Sequence, residues 1–324
     1  MKKSEDVIIK HIKTKNKIRK IATYVSEGCK LRKEHENILK YLNKNFINSK
    51  FAKAYVKNRS IYSNAKVHLY NDCFIMLDVK DFFNSINHKN LIEKLYYEIN
   101  KPNKKIYYQI DESNRKLISK IECANIISKC SLYNKGIPLG FITSPILSNI
   151  YMKDFDGILY GQLKKFKDYN IIYSRYADDM TISFKDNQDK KEIENEIINI
   201  TEDLLKRYGL KLNNKKTRSY DLTISNHVKI TGINIVKEED NYRRMTVGKK
   251  VKNKLFWDAL KCYRDGNHDY KCIEGLKGMQ SFILSIEKKG YEECYSENMK
   301  NIINELGFSS LKELIDSLFY IEKN

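Results

Sequence analysis

Proline is scarce in this chain, with 3 in 324 residues, and no Gly/Ser-rich linker or internal repeat interrupts it. That excludes a beaded, linker-joined arrangement and predicts parts packed on a shared core. The seven cysteines, at 29, 73, 123, 130, 262, 272 and 294, are odd in number and form no C-x-x-C pair. A disulfide framework is thereby excluded, and a zinc site lacks its spacing. The thiols read as reduced and structural, which predicts a cytoplasmic protein. No apolar stretch approaches the roughly 18 residues of a membrane span, and no signal peptide precedes the first element, so no membrane partner is expected.

Acidic residues are also in deficit. The chain has 60 Lys and Arg against 41 Asp and Glu, a net charge of +19. Residues 1–60 alone hold 17 basic against 5 acidic residues. A polyanionic partner is the physical reading. With 41% hydrophobic and 31% charged residues the chain is globular, not disordered.

Among what is present, the run Ile171-Ile172-Tyr173-Ser174-Arg175-Tyr176-Ala177-Asp178-Asp179-Met180-Thr181-Ile182-Ser183-Phe184 is the most informative. Apolar residues lead into two adjacent aspartates, and an alternating apolar segment follows. That reads as strand, tight turn, strand. A solvated type I′ turn would also carry Asp, but the apolar flanks mark a half-buried hairpin. Two carboxylates in one small volume repel, and a hard divalent cation such as Mg²⁺ relieves the repulsion. About a hundred residues upstream, Cys73-Phe74-Ile75-Met76-Leu77-Asp78 reads as a buried strand running into an aspartate. Asp78 could cap a following helix. Packed beside the hairpin, it would complete a cage of Asp78, Asp178 and Asp179 for two Mg²⁺ ions about 4 Å apart. In such a cage one ion activates a 3′-oxygen and the other steadies a leaving pyrophosphate.

Together these segments resemble a reverse transcriptase palm, and within those enzymes a bacterial retron reverse transcriptase. Asp78 matches the first palm aspartate, and Tyr176-Ala177-Asp178-Asp179 the catalytic box. Gly136-Ile137-Pro138-Leu139-Gly140-Phe141-Ile142-Thr143-Ser144-Pro145 resembles the template-contacting segment. Asn64-Ala65-Lys66-Val67-His68 resembles the retron N-A-x-x-H motif, and Ile230-Thr231-Gly232 the V-T-G motif. The resemblance implies an α+β, right-hand polymerase fold. Fingers would span 1–70 and an antiparallel palm with helices 71–240, with inserted fingers helices near 88–135. A helical thumb would follow over 241–324.

It implies site residues as well. Val79 joins the three aspartates as a metal ligand. A fingers hairpin over Val7–Ala22 would clamp the incoming triphosphate through Lys13 or Lys15 and Arg19, although a solvated basic turn would read the same way. Phe83 would form the steric gate against a 2′-hydroxyl, with Phe82 as competitor. Asp81 would cap a helix or hold the triphosphate lysines. Gly140 would let backbone approach the template–nucleotide pair. Leu139 stands where the family frequently has Gln, so a hydrogen bond to substrate is lost there. Lys216, or its neighbour Lys215, would approach the triphosphate and protonate pyrophosphate. Asn64 and His68 fall in a region the resemblance ties to RNA recognition, His68 also reading as a structural hydrogen-bonder. Arg243, Arg244, Lys249, Lys250, Lys252 and Lys254 lie within twelve residues that hold no acid, just before Phe256 and Trp257. Cations beside aromatics fit phosphate contact and base stacking; Trp257 reads equally as thumb core.

Implied partners are a structured noncoding RNA, an RNA–DNA hybrid, dNTPs and a separate effector protein in antiphage defence. Another bacterial defence reverse transcriptase, and a catalytically idle RNA-binding palm, stay open as alternatives. By periodicity, helices are expected over 29–56, 88–100, 112–130, 143–166 and 188–208, and strands over 210–213 and 228–235.

Overall fold

The structure, a computed structural model, describes residues 5–14, 17–101, 117–238, 242–266, 269–287 and 290–320. In chain order the elements run β1 (Val7–Thr14), β2 (Lys17–Tyr24), α1 (Lys30–Asn45), α2 (Ile61–Lys66), β3 (Cys73–Asp78), α3 (Phe82–Ser85), α4 (His88–Asn100) and α5 (Lys120–Lys129). There follow α6 (Ser144–Leu163), β4 (Ile172–Tyr176), β5 (Asp179–Phe184), α7 (Lys190–Arg207), β6 (Arg218–Asp221), β7 (His227–Ile230), β8 (Ile233–Lys237) and β9 (Arg243–Thr246). The chain closes with α8 (Lys249–Arg264), α9 (Tyr270–Glu287), α10 (Glu297–Glu305) and α11 (Leu311–Tyr320). No described helix is long and apolar enough to cross a membrane.

Two compact units result, one of residues 1–60 and 71–221, the other of 61–70 and 222–324. In the first unit β4, β5, β3 and β6 form one antiparallel sheet in that order. Strand β3 is central, and Phe74, Ile75 and Leu77 are fully or almost fully buried. Burying such a side chain contributes about 1.5–3 kcal/mol, which pins the strand's register, because a one-residue slip would turn every side chain over. The fixed register sets Asp78 directly opposite Asp179. Helix α6 supplies much of the same core through Leu147, Ile150, Tyr151, Phe155 and Leu159. Pro145 sits in its first turn, where the missing N–H has no intrahelical partner anyway.

The β1–β2 hairpin is anchored at its base. The Ala22 N–H donates to the Leu139 carbonyl at 2.8 Å. Beside it a relay joins β2, α1 and α5. The Ile142 N–H donates to the Tyr24 hydroxyl at 3.2 Å, that hydroxyl bonds His35 Nδ1 at 2.7 Å, and His35 Nε2 bonds the Lys129 carbonyl at 3.0 Å. A carbonyl only accepts, so Nε2 carries the proton and Nδ1 accepts from Tyr24. Phe141 stacks on Tyr24, with ring centroids 5.4 Å apart, and meets His35 edge-on at 4.8 Å.

In the second unit the sequence reading needs correction. Residues 228–235 are not one strand. Thr231 and Gly232 both take positive φ, 45° and 95°, and form the two-residue turn of the β7–β8 hairpin. Positive φ at both positions matches a type I′ turn, whose twist suits antiparallel strands. Alternation continues across so short a turn, which hid it. The helix expected over 29–56 stops at Asn45, the one expected over 112–130 is described as Lys120–Lys129, and 210–213 makes a single bridge, Val79 to Leu212.

Burial holds His35 below the ordinary imidazole pKa, the Lys129 carbonyl and Glu34 opposing and Arg32 assisting. A lowered folded pKa means stability fully present above the unfolded value of about 6.5 and lost as pH falls from there through the lower folded value. Thermal midpoints measured from pH 7.5 to 5 should therefore decline for the wild type, whereas His35→Gln, less stable throughout, should show a flatter profile. Parallel profiles would assign the decline to other groups.

Candidate active site

Three backbone contacts bring the ends of β3 and β5 together with the segment after α7. The Val79 N–H donates to the Asp178 carbonyl at 3.1 Å, Lys80 N–H to the Lys211 carbonyl at 2.8 Å, and Asn213 N–H to the Asp78 carbonyl at 2.8 Å. The Asp78 side chain is then held from both sides. Asn213 Nδ2 donates to Oδ1 at 2.8 Å and Lys216 Nζ to Oδ2 at 2.6 Å. Of the two candidate lysines, Lys216 is the one bonded to the aspartate.

The hairpin that carries Asp178 and Asp179 rests on a buried ion pair. Arg175, wholly buried, binds Asp156 of α6 through Nε at 2.8 Å and Nη2 at 2.9 Å. Tyr173 donates its hydroxyl to the same carboxylate at 2.8 Å, and Arg175 Nη1 reaches the Ala177 carbonyl at 3.1 Å. Ala177 takes φ +59° at the first of the two loop positions, and Asp178 has no positive φ. That is the pattern of a type II′ turn, where Gly is usual, rather than type I′. A left-handed Ala costs about 1–2 kcal/mol, and the Arg175 bond to its carbonyl helps hold it.

Asp78, Val79, Asp178, Asp179 and Lys216 line one cavity of about 920 Å³ together with Arg19, Asp81, Phe82, Phe83 and Leu139. Burial, then the nearby Asp78, raises the Asp178 pKa, with Lys216 and Arg19 opposing. Burial, then Asp178 and Asp78, pushes Asp179 up to about 6. The hydrogen bond to Asp78 raises Lys216. These shifts describe a site short of positive charge, and hard carboxylate oxygens are the donors that Mg²⁺ prefers. The residues present thus fit divalent cations. Among the described residues, the group of three potential ligand atoms within 4.8 Å of one another is elsewhere, at Cys73, Asp186 and Asp221. There Lys190 Nζ already bonds Asp186 at 3.0 Å and Asp221 at 2.7 Å, which answers their charge. Both Asp78 oxygens are instead engaged, by Asn213 and Lys216.

Phe82 is buried, whereas Phe83 is half-buried on the cavity wall. Gly136 sets their turn: Ile137 N–H donates to the Phe83 carbonyl at 2.9 Å, and a Cβ on Gly136 would lie 2.9 Å from Asn84 Cα. Asp81 takes φ +46° ahead of α3 and forms no side-chain cap there. Gly140 packs tightly against β2. Its φ is +103°, and a Cβ there would meet the Ala22 carbonyl oxygen at 2.3 Å. The close approach that glycine permits is to β2 of the fingers hairpin.

Lys13 is exposed on β1 and does not line the cavity, and Lys15 lies outside the described residues. In the second unit Asn64 and His68 are buried, and Asn64 Nδ2 donates to Thr231 Oγ1 at 3.2 Å. The N-A-x-x-H and I-T-G segments therefore meet each other, and neither Asn64 nor His68 is offered on the surface. Lys252 also departs from expectation: it is buried and bonds Glu287 at 3.0 Å. Arg244, Lys249, Lys250 and Lys254 are exposed and Arg243 partly so. Trp257 is half-exposed against buried Phe256, not core.

A family model described as reverse transcriptase (RNA-dependent DNA polymerase) matches residues 3–235. The chain belongs to that family. It is 26% identical to the retron Ec83 reverse transcriptase of Escherichia coli over 276 residues, covering 81% of this chain and 76% of the relative. Identity to the retron Ec73 enzyme is 31% over 134 residues, 41% of this chain and 39% of that one. Identity to the Ec86 enzyme is 25% over 246 residues, 75% and 65%. The chain thus spans less than two thirds of the last two. The chain is an RNA-directed DNA polymerase with the family's right-hand fold, and the relatives it resembles are retron reverse transcriptases. Among solved structures, telomerase from Candida albicans in complex with a TWJ fragment of telomeric RNA aligns with TM-score 0.49 and 15% identity, over 96% of this chain and 63% of that one. Apo telomerase from Candida tropicalis aligns with TM-score 0.45 and 17% identity, over 70% and 52%.

Sequence reasoning missed Asp156, Asn213 and the role of Arg175. Asp156 had a signal, since it is a lone acid beside Met152, Phe155 and Leu159 on an otherwise apolar helix face. Removing one partner of a buried ion pair costs about 3–5 kcal/mol. Asp156→Ala should therefore unfold at distinctly lower denaturant concentration. The double change Asp156→Leu with Arg175→Met should regain most of the stability but not polymerase activity, because Ala177 stays without its side-chain donor. Full activity in the folded double variant would show that the hairpin needs no such support.

Proposed function

We propose that this reverse transcriptase copies part of a cognate structured noncoding RNA into single-stranded DNA, by nucleotidyl transfer at the Asp78, Asp178 and Asp179 cavity. The observation that carries this reading is the convergence of Asp78, Asp178 and Asp179 with Arg19, Lys216 and the half-buried Phe83 ring on one cavity. Asp78, Val79, Asp178 and Asp179 would hold two Mg²⁺ ions, and bound there these supply the Lewis acidity that activates a 3′-oxygen and steadies pyrophosphate. Arg19 binds the triphosphate of the incoming dNTP, since a guanidinium pairs phosphate in bidentate fashion. Lys216 stands ready to protonate the leaving pyrophosphate, and Asn213 keeps Asp78 oriented when Lys216 turns to the substrate. Phe83 walls off a 2′-hydroxyl, which would find no partner against the ring. The setting we infer is cytoplasmic antiphage defence beside a separate effector protein; sequencing the nucleic acid and identifying the protein that co-purify with it tests that setting.

Incorporation of labelled dNTP on a primed RNA template tests the core claim. Asp178→Asn keeps shape and removes one charge, so synthesis should fall by several orders of magnitude while the fold survives. Phe83→Ala should lower the preference for dNTP over rNTP in the same assay. Near wild-type extension by Asp178→Asn would sink the metal assignment, and unchanged selectivity would move the gate to Phe82.

RNA docking is assigned to the exposed cations Arg243, Arg244, Lys249, Lys250 and Lys254, with Trp257 as a stacking surface. Neutralising them should flatten the salt dependence of RNA binding by about one unit of slope per lost phosphate contact. Lys252→Gln should instead act on stability, through Glu287. Titrating a cognate hairpin across a salt series separates these effects, and an unchanged slope would move docking to the fingers.

A further inference from the structure

Tyr55 stands out among the cavity residues that have no role so far. Tyr55 lines the cavity with Asp178 and Asp179, is 51% exposed, and takes φ +61°. A bulky side chain in the left-handed region is unusual and strained, and such strain persists only where the surroundings enforce it. They do so here. Arg59 Nη1 donates to the carbonyls of Ser49 at 2.6 Å and Ala52 at 2.5 Å. Asn149 Nδ2 donates to the Ala54 carbonyl at 3.1 Å, and the Lys53 N–H to the Arg175 carbonyl at 2.7 Å. The segment bearing Tyr55 is thereby fastened to β4, the strand that delivers the catalytic hairpin. A ring could have been folded into the core from such a segment; instead half of it faces the cavity.

Position within the cavity decides what the ring meets. In the sheet order β4, β5, β3, β6, Tyr55 hangs from the β4 edge and Lys216 lies beyond β3. Tyr55 lies nearest Asp178 and Asp179 among the charged groups, and Lys216, which also feels both, is hydrogen-bonded to Asp78 on the β3 side. The two residues therefore flank the carboxylates from opposite sides. Nucleotidyl transfer proceeds in line, with attacking and leaving oxygens on opposite sides of phosphorus. If pyrophosphate leaves towards Lys216, the attacking strand comes from the side of Tyr55.

We propose that Tyr55 is a positioning residue for the priming strand, its ring packing against the terminal nucleotide whose hydroxyl attacks. This deepens the polymerase reading above and rests on it. Stacking against aromatic rings contributes to nucleic-acid binding irrespective of base identity, which suits a residue that must hold every newly added end. The ring, not the hydroxyl, supplies the contact.

Steady-state extension of a primed RNA template by wild type, Tyr55→Phe and Tyr55→Gly tests the assignment, with KM measured separately for primed template and for dNTP. Glycine removes the ring and relieves the strained φ, so Tyr55→Gly should be at least as stable as wild type. A purely structural role for the ring predicts the reverse. Its KM for primed template should rise about tenfold or more, with KM for dNTP within about twofold, and Tyr55→Phe should retain wild-type values. Unchanged KM for primed template in Tyr55→Gly, a rise confined to dNTP, or an equal loss in Tyr55→Phe would each overturn the proposal while leaving the polymerase reading intact. Absence of extension by the wild type would overturn both.

Discussion

Arg175 and Asp156 form the contact on which the rest of the catalytic unit depends. Two charges out of water are expensive, and their attraction offsets that only with good geometry and further hydrogen bonds. Here the geometry is a two-point guanidinium–carboxylate pair, supplemented by Tyr173, Asn149 and the Ala177 carbonyl. The pair links helix α6 to strand β4 and reaches the turn that aims Asp178. Arg175 also exchanges backbone hydrogen bonds with Phe51 and Lys53, so the segment bearing Tyr55 is tied to the same residue. An apolar pair of similar volume would fill the space, but it would donate nothing to the turn.

From this anchor the electrostatics of the cavity follow. Like charges directly opposite across a sheet destabilise it, and the register sets Asp78 against Asp179. The chain answers with Lys216 and with Asn213, both supplied by the segment that follows α7. Among the described residues the Lys216 ammonium bonds Asp78, and the side chain keeps 61% of its surface exposed. Such a lysine neutralises the site at rest and can swing towards an arriving anion. Arg175 cannot do this, being locked on every side. One cation is thus fixed and buried beneath the hairpin, and a second, more exposed one sits on the Asp78 carboxylate.

Much of this was legible in the sequence. The strand ending in Asp78 and the Tyr176–Asp179 turn announced themselves because apolar runs set elements and aspartates at their ends stand out against them. Asn64 and Thr231 lie 167 positions apart yet touch, a meeting that no local pattern encodes. Likewise no local pattern places the Ala22 carbonyl beside Gly140. Lys252 looked like its neighbours in a basic run, but helical rotation turns it inward to Glu287. Pattern reveals elements and exposed chemistry, whereas buried polar partners depend on which elements happen to pack.

Strain gives the last link. Outside glycine, positive φ among the described residues occurs at Tyr55, Asn58, Asp81, Asn170, Ala177 and Thr231. Tyr55 and Asp81 line the cavity, and Ala177 directly precedes Asp178. Each such residue costs about 1–3 kcal/mol, so three near one cavity would be a serious load for a fold stable by about 5–15 kcal/mol. The load is tolerable because each lies beside a fixed support: Arg59 and Asn149 for the Tyr55 segment, Gly136 packed under the turn after Asp81, and Arg175 for Ala177. Relaxing the backbone at any of these positions would gain local stability and lose the aim of a side chain. Strain held by fixed supports in this way keeps the turn before Asp178 and the cavity wall at Tyr55 and Asp81 in one conformation.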